Sequence, residues 1–372
     1  MKNKDAKKNL LDHSEAKVRL LGEYLKRYLN IICNDGHTER IHIHDLFCGE
    51  GLYDNSGEGS PLVILRAIKD IHFMNVAKLN TIPAIDCHFN DIEVKKIEKV
   101  QGAIKDLSLY YPEFGQIEYT SADYQDQLKK LVAALPSLRN QKAFIFIDPY
   151  EYKHIKASQI ESLMAKRNAE VLLWLPTQFM YRFATNGTPL ALKDFIEELV
   201  PYKEWKATDS VWNFIGQLKE GFQKRLGTTF FVDTFTIEKD PSTVFCLFFF
   251  SSHIKGFEKM LEAKWEIDTE QGKGWNYTGN IPTLFQDLKT NPLEHKLTAF
   301  LNNHKRTNGE VYEFTLKECF LPKHTNEIFY NWQTAGKLEV QKTDGEKIRK
   351  GAFYIAYNYF SKEPNKVTFK LN

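Results

Sequence analysis

Apolar positions recur at helical spacing over residues 16–34, where Val18, Leu21, Tyr24, Leu25, Tyr28, Leu29 and Ile32 form one stripe. This predicts an amphipathic helix packed on the elements that follow. From residue 41 to about 175 the pattern changes. Short apolar runs at 41–47, 85–90, 117–121, 143–148 and 170–175 alternate with amphipathic stretches at about 61–72, 93–109, 124–135 and 157–166. Such alternation predicts a parallel sheet with helices on both faces. Residues 189–226 read as helical, and two further strands follow at 228–238 and 243–252. The second contains Phe245-Cys246-Leu247-Phe248-Phe249-Phe250, and continuous apolarity fits a strand covered on both sides. The expected fold is therefore α/β, a Rossmann-like sheet with an antiparallel edge. A helix at about 255–264 leads to Trp265.

Residues 269–292 are polar, with glycines and prolines, and read as a linker. Helices are expected at 293–304, 316–319 and 323–335, the last started by Pro322 and stopped by Gly336. Strands at 337–342 and 352–357 flank a charged turn at 343–350. Three helices and a two-stranded wing predict a winged helix. The expected organisation is an N-terminal helix within 1–40, a Rossmann-like domain at 41–268, the linker at 269–292 and a winged-helix-like domain at 293–372.

Composition narrows this picture only slightly. The chain has 372 residues, long enough for two or three domains, and 42% are hydrophobic. With 50 basic and 48 acidic residues, overall charge does not demand a nucleic-acid partner. Residues 290–372 carry 13 basic and 9 acidic residues, a local excess of four. No run of 18 apolar residues occurs, and no apolar signal core follows the charged start, which points to the cytoplasm and no membrane partner. The five cysteines lack metal-ligand spacing and are expected to be reduced thiols, with no metal site.

The first strand ends in His44-Asp45-Leu46-Phe47-Cys48-Gly49-Glu50-Gly51, an acidic residue followed by a tight G-x-G turn. Such a turn lets the backbone approach a nucleotide-containing ligand closely. Acidic residues follow three successive strands: Asp45, Asp91 and Asp123. They suit the ammonium, the ribose and the adenine of S-adenosylmethionine, with Phe47, Gly49 and Gly51 completing the cofactor pocket. Asp91 stands 40 positions beyond Gly51, so an inserted loop is expected after the turn. Asp after a strand is also an ordinary helix N-cap. The fourth strand ends in Asp148-Pro149-Tyr150, a form of the site signature of methyltransferases acting on exocyclic amines. Asp148 and the Pro149 carbonyl can accept the amine's protons and Tyr150 can stack on its ring, so positioning and hydrogen bonding carry the catalysis. Gln178 and Arg182 are further candidates for the acceptor pocket. In the C-terminal unit Lys323, His324 and Asn326 open the recognition helix, while Lys342, Lys347, Arg349 and Lys350 dress the wing. Lys323, Lys347, Arg349 and Lys350 are the expected nucleic-acid contacts, through phosphates.

Five stretches together resemble the bacterial three-Cys-motif partner family. They are the D-x-F-x-G-x-G-x-Y turn at 45–53, G-S-P-L at 59–62, F-I-D-P-Y at 146–150, E-K-M-x-x-A-x-W-x-x-D at 258–268 and F-L-P-K-H at 320–324. The resemblance spans about residues 17–357. It implies a companion protein bearing a three-cysteine, radical-enzyme-like motif. This chain carries Cys48, Glu50 and Leu52 where that turn has small residues, a proline and a basic residue. Two functions follow as expectations. One is S-adenosylmethionine-dependent methylation of a nucleobase amine in DNA or RNA. The other is a non-catalytic partner that binds nucleic acid and the companion.

Overall fold

The computed structural model describes residues 11–149, 155–185, 190–199, 210–277, 291–343 and 348–372. The chain divides into two compact units. One comprises Met1–Gly256 and Lys273–Gly279, the other Phe257–Gly272 and Asn280–Asn372.

In the first unit α1 (Asp12–Ile32) precedes β1 (Arg40–Asp45). Then α2 (Ser60–Val76), β2 (Ala84–Asn90), α3 (Val94–Asp106), β3 (Ile117–Thr120), α4 (Tyr124–Ala134), β4 (Gln141–Ile147), α5 (Ala157–Met164) and β5 (Ala169–Leu175) alternate. Helices α6 (Thr177–Thr185), α7 (Leu190–Leu199) and α8 (Val211–Leu226) lead to the hairpin β6 (Phe231–Asp240) and β7 (Thr243–Ser251). After α9 (Ile254–Ile267), which belongs to the second unit from Phe257 on, a short β8 (Gly274–Asn276) returns to the first unit's sheet.

The strand order is β3-β2-β1-β4-β5-β7-β6-β8. Strands β1 to β5 pair in parallel. Strand β7 runs antiparallel to both its neighbours, and β8 pairs in parallel with β6. This is an α/β fold with a Rossmann-like mixed sheet. The two later strands extend the same sheet with antiparallel pairing, as expected, but the antiparallel strand β7 is interior, with β6 and β8 beyond it. The apolar run 245–250 explains the position: all of Cys246 to Phe250 are buried.

Successive side chains of β4 enter two different cores. Phe144 packs on Tyr24 and Tyr28 of α1, with ring centroids 5.7 and 5.9 Å away, and Tyr24 meets Phe249 edge-on at 4.9 Å. Ile145 and Ile147 join Leu128, Leu131, Ile160, Leu163 and Phe222 in the other layer. Burying each of these side chains stabilises by roughly 1.5–3 kcal/mol relative to exposure. The Tyr24 hydroxyl also donates to the buried Glu170, which accepts a 2.6 Å bond from Ser251 Oγ. Burial pushes the Glu170 carboxyl up to about 7.

Three histidines share the sheet face beside α4. His44 lies opposite His88 in the β1–β2 register, and their rings stack at 4.2 Å and 9°. His42 joins them, its Nε2 2.7 Å from Gln141 Oε1. With Gln127, Lys130 and Leu131 of α4 they line a cavity of about 240 Å³.

In the second unit α10 (Asn291–Leu301), β9 (Arg306–Thr307), α11 (Asn308–Lys317), α12 (Pro322–Thr334), β10 (Leu338–Lys342), α13 (Tyr357–Lys362) and β11 (Val367–Leu371) build a winged helix-turn-helix. Its sheet order is β10-β11-β9, all antiparallel. Two expectations are corrected here. The short helix at 316–319 is the end of α11, which starts at a capping box: Thr307 N–H donates to Glu310 Oε2 at 2.8 Å and Glu310 N–H to Thr307 Oγ1 at 3.2 Å. The second wing strand is β11, not 352–357. Phe353 and Ile355 are buried in strand-like alternation, but Tyr354 between them takes φ 55°, which breaks a ladder. Among the described residues no helix is long and apolar enough to cross a membrane.

Candidate cofactor and acceptor site

Strand β1 leaves the sheet at Asp45, and the chain stays tied to both neighbours. Leu46 N–H donates to Phe146 O at 3.1 Å, and Cys48 N–H to Asn90 O at 2.8 Å. The turn then needs positive φ twice, at Gly49 (65°) and Gly51 (77°), where L side chains are strained. A Cβ on Gly51 would also press on Val100 at 3.2 Å. Gly59 N–H closes the loop on Gly51 O at 2.6 Å, and α2 starts with Pro61 in its first turn.

Asp45 is fully buried at this turn. Its Oδ1 accepts a 3.3 Å bond from Phe47 N–H, while Oδ2 has no hydrogen-bond partner. Burial first, and the like charge of Asp148 second, push its carboxyl up to about 7; Ser60, Phe47 N–H and Lys17 partly offset this. Nearby, Phe47 stacks on Tyr124 at 4.9 Å, and the Tyr124 hydroxyl is likewise buried without a partner.

Asp91 is also buried, but the chain itself uses its oxygens. Oδ2 accepts from Gly49 N–H at 3.2 Å, and Oδ1 accepts from Glu93 N–H at 3.0 Å with Lys96 Nζ 3.5 Å away. The carboxylate therefore ties the glycine turn to the start of α3. Asp123 caps α4, accepting from Gln125 N–H at 2.8 Å. Asp148 lies just past β4, half-buried, ion-paired with Lys17 of α1. Pro149 beside it is buried. Tyr150 lies outside the described residues. The fold thus gathers Asp45, Phe47, Gly49, Gly51, Asp91 and Asp148 at the carboxyl ends of β1, β2 and β4, where open α/β sheets bind ligands. Asp123 stands at the end of β3. Arg182 instead donates to Ser242 O at 2.6 Å.

Sequence reasoning missed four residues here. Asn90 stitches three strand ends: it donates to Leu46 O and Ala122 O, and accepts from Thr120 Oγ1 and Ala122 N–H. Lys17 pairs with Asp148 and stands over Trp174, its ammonium 4.9 Å from the indole centroid. A signal for Lys17 existed. It sits in the apolar stripe of α1, four residues before Leu21, and a cation there calls for a buried anion. Ile92, directly after Asp91, is 65% exposed beside the turn, an uncommon place for a large apolar side chain.

In the second unit, Lys323 and Tyr330 are exposed on α12, and Lys350 stands over the Tyr330 ring at 5.5 Å. Arg349 is exposed and Lys347 lies outside the described residues. His324 is core, not surface: its Nδ1 accepts from Leu321 N–H at 3.2 Å, and its ring packs 4.3 Å from Trp265. Trp265 Nε1 donates to Cys319 O at 3.1 Å and the Tyr312 hydroxyl to Glu258 Oε2 at 3.0 Å. The 258–268 stretch therefore carries part of this unit's core. Among the described residues no His, Cys, Asp and Glu group is arranged to hold a metal.

Residues 268–345 match the family described as GMT-like wHTH domain. No curated protein matches the chain. Solved structures similar to it include protein LPL1258 from Legionella pneumophila, at 13% identity over 68% of this chain and 90% of that one, with a TM-score of 0.38. An O-methyltransferase from Bacillus cereus, solved with S-adenosylhomocysteine, is 10% identical over 62% and 80%, with a TM-score of 0.34. The methyltransferase domain of bacterial CtHen1 is 11% identical over 62% and 98%, with a TM-score of 0.29.

Proposed function

We propose that this protein is an S-adenosylmethionine-dependent methyltransferase acting on an exocyclic amine of a nucleobase in DNA or RNA. The observation that carries this reading is Asp45. A carboxylate oxygen buried without a partner, at a glycine turn and beside a second strand-end carboxylate, suits a cationic ligand. The cofactor's methionine ammonium is such a cation, and the residues present fit it. When bound, the cofactor supplies an electrophilic methyl group. Asp45 then holds the ammonium, the Gly49–Gly51 backbone admits the ligand closely, and Asp91 keeps that turn in shape. Asp91 and Asp123 each retain acceptor capacity toward the ribose and the adenine. Asp148 and the Pro149 carbonyl accept the acceptor amine's protons, which turns its lone pair toward the methyl, and Tyr150 stacks on the base. A base within a duplex has to leave the stack first. Lys323, Lys347, Arg349 and Lys350 of the winged helix hold phosphates, and a companion three-cysteine protein is a further proposed partner.

The test is incubation of the full chain with methyl-labelled S-adenosylmethionine and DNA or RNA, alongside calorimetry. Asp148→Ala is expected to lose roughly a hundred- to thousand-fold in rate, by analogy with a lost transition-state hydrogen bond, while cofactor affinity stays within about twofold. Equal rates in both proteins remove Asp148 from the mechanism. Cofactor binding without transfer to any nucleic acid favours the non-catalytic partner.

A further inference from the structure

Tyr124 opens α4, directly after Asp123 at the end of β3. Its side chain is 5% exposed and packs in one core with Leu46, Leu128, Ile147 and Ile155. The hydroxyl at its tip has no hydrogen-bond partner. A buried phenol ordinarily finds one. Tyr24 and Tyr312, buried as deeply, donate to Glu170 and, at 3.0 Å, to Glu258. An unmet hydroxyl burdens the fold with its desolvation, so phenylalanine would serve the core better. The phenol also stays neutral, because burial disfavours its charged form, and it therefore keeps a proton to donate.

The placement of this hydroxyl points to the ligand end of the sheet. Strands β1 and β3 flank β2, so their ends stand about 9–10 Å apart. Tyr124 enters from the β3 side, yet its ring stacks at 4.9 Å and 26° on Phe47, two residues past Asp45. The ring pair thus joins the two outer strand ends. Asn90 fixes both sides of it, donating to Leu46 O beside Phe47 and to Ala122 O near Tyr124. A ligand that rests its ammonium on Asp45 and extends toward β3 runs along this pair.

We propose that Tyr124 is a further cofactor-binding residue, whose hydroxyl donates a hydrogen bond to the nucleoside half of S-adenosylmethionine. This rests on the reading of Asp45 as the group that holds the cofactor's ammonium. The adenine ring nitrogens and the ribose oxygens are acceptors of the kind the protein does not supply to this hydroxyl. Phe47, half-buried on the phenol ring, is the cover that the nucleoside displaces.

The test compares the full-length wild type with Tyr124→Phe, which keeps the ring and its stack and removes only the hydroxyl. Calorimetry with S-adenosylhomocysteine gives affinity, and thermal melts without ligand give stability. One hydrogen bond lost should weaken binding by roughly 2- to 12-fold. Melting should be unchanged or higher, because an unmet buried donor has gone. Opposed effects of this kind separate a ligand contact from a packing role. Equal affinity in the two proteins overturns the proposal. A lower melting temperature in Tyr124→Phe overturns it as well, since the hydroxyl then serves the fold, for instance through a buried water. A second readout is carbon-13 NMR of the protein labelled at the tyrosine ζ-carbon, with the Tyr124 signal assigned by its loss in Tyr124→Phe. That signal should move on saturation with S-adenosylhomocysteine, and a fixed signal overturns the contact. A wild type that binds no S-adenosylhomocysteine refutes the reading of Asp45, and this contact falls with it; binding that the variant matches refutes the contact alone.

Discussion

Protonation of Asp45 gives the cofactor reading a quantitative test. Its carboxyl lies at about 7 in the free protein, because burial and Asp148 both disfavour its charge. In the proposed complex this carboxylate meets an ammonium, so the bound form is ionised and binding releases the proton. A group at pH equal to its pKa is half protonated, so about 0.5 proton should leave per ligand at pH 7, rising to about 0.9 at pH 6. Affinity should weaken by about fivefold over that unit, just under the tenfold limit for one proton. The ligand's α-amine, near 7.7–8.0, stays largely cationic in this window and does not mimic the effect. S-adenosylhomocysteine is a suitable ligand because it cannot turn over. Calorimetry at pH 6 and 7, in buffers of different ionisation enthalpy, gives both the affinity and the proton count. Asp45→Asn removes the proton release. An affinity flat across this range, with no buffer dependence in wild type, refutes the assignment of Asp45 to a cationic group.

Three further outcomes are expected. Burial and the neighbouring His88 and His42 hold His44 well below the ordinary imidazole value, so it stays neutral in the fold while the unfolded chain takes up a proton below about 6.5. Urea unfolding should therefore show wild type losing stability relative to His44→Gln as pH falls from about 6.5, by up to about 1.4 kcal/mol per pH unit, and parallel curves would contradict this. Asn90→Ala strips four hydrogen bonds from three strand ends and should cost about 2–4 kcal/mol in the same assay. Replacing Lys347, Arg349 and Lys350 together by Ala should weaken nucleic-acid binding across sequences and flatten its salt slope by up to about 3 units, with melting hardly changed; an unchanged slope would exclude these phosphate contacts.

Much of the sheet was legible because its strands are short apolar runs separated by amphipathic helices. The predicted run 170–175 falls within β5, and 85–90 within β2. Strand β8 was not legible, since three residues within a polar stretch show no period. The wing misled for a different reason: Phe353 and Ile355 alternate inward as in a strand, and only the positive φ of Tyr354, invisible in composition, breaks the pairing. At the site, the glycines and acidic residues could be read one strand at a time. The bonds that join strand ends could not, because Asn90 acts across 44 and 32 residues and Lys17 across 131. Asp123 illustrates the ambiguity that remains within a single position, as its carboxylate serves the α4 N-terminus.

The route of the chain between its two units has a practical consequence. Residues Phe257–Gly272 belong to the second unit, yet Lys273–Gly279 return to the first and supply β8 before the chain leaves again. No single cut separates two intact parts. Cleavage after residue 268, where the composition changes, takes β8 from the sheet and strands Glu258 and Trp265 away from Tyr312 and Cys319, whose bonds they complete. A recombinant winged helix beginning at 269 or 293 would expose the apolar surface that Trp265 covers and is expected to aggregate, whereas one beginning at 254 keeps that helix. Limited proteolysis of the intact protein should for the same reason leave fragments that remain associated until denaturant is added.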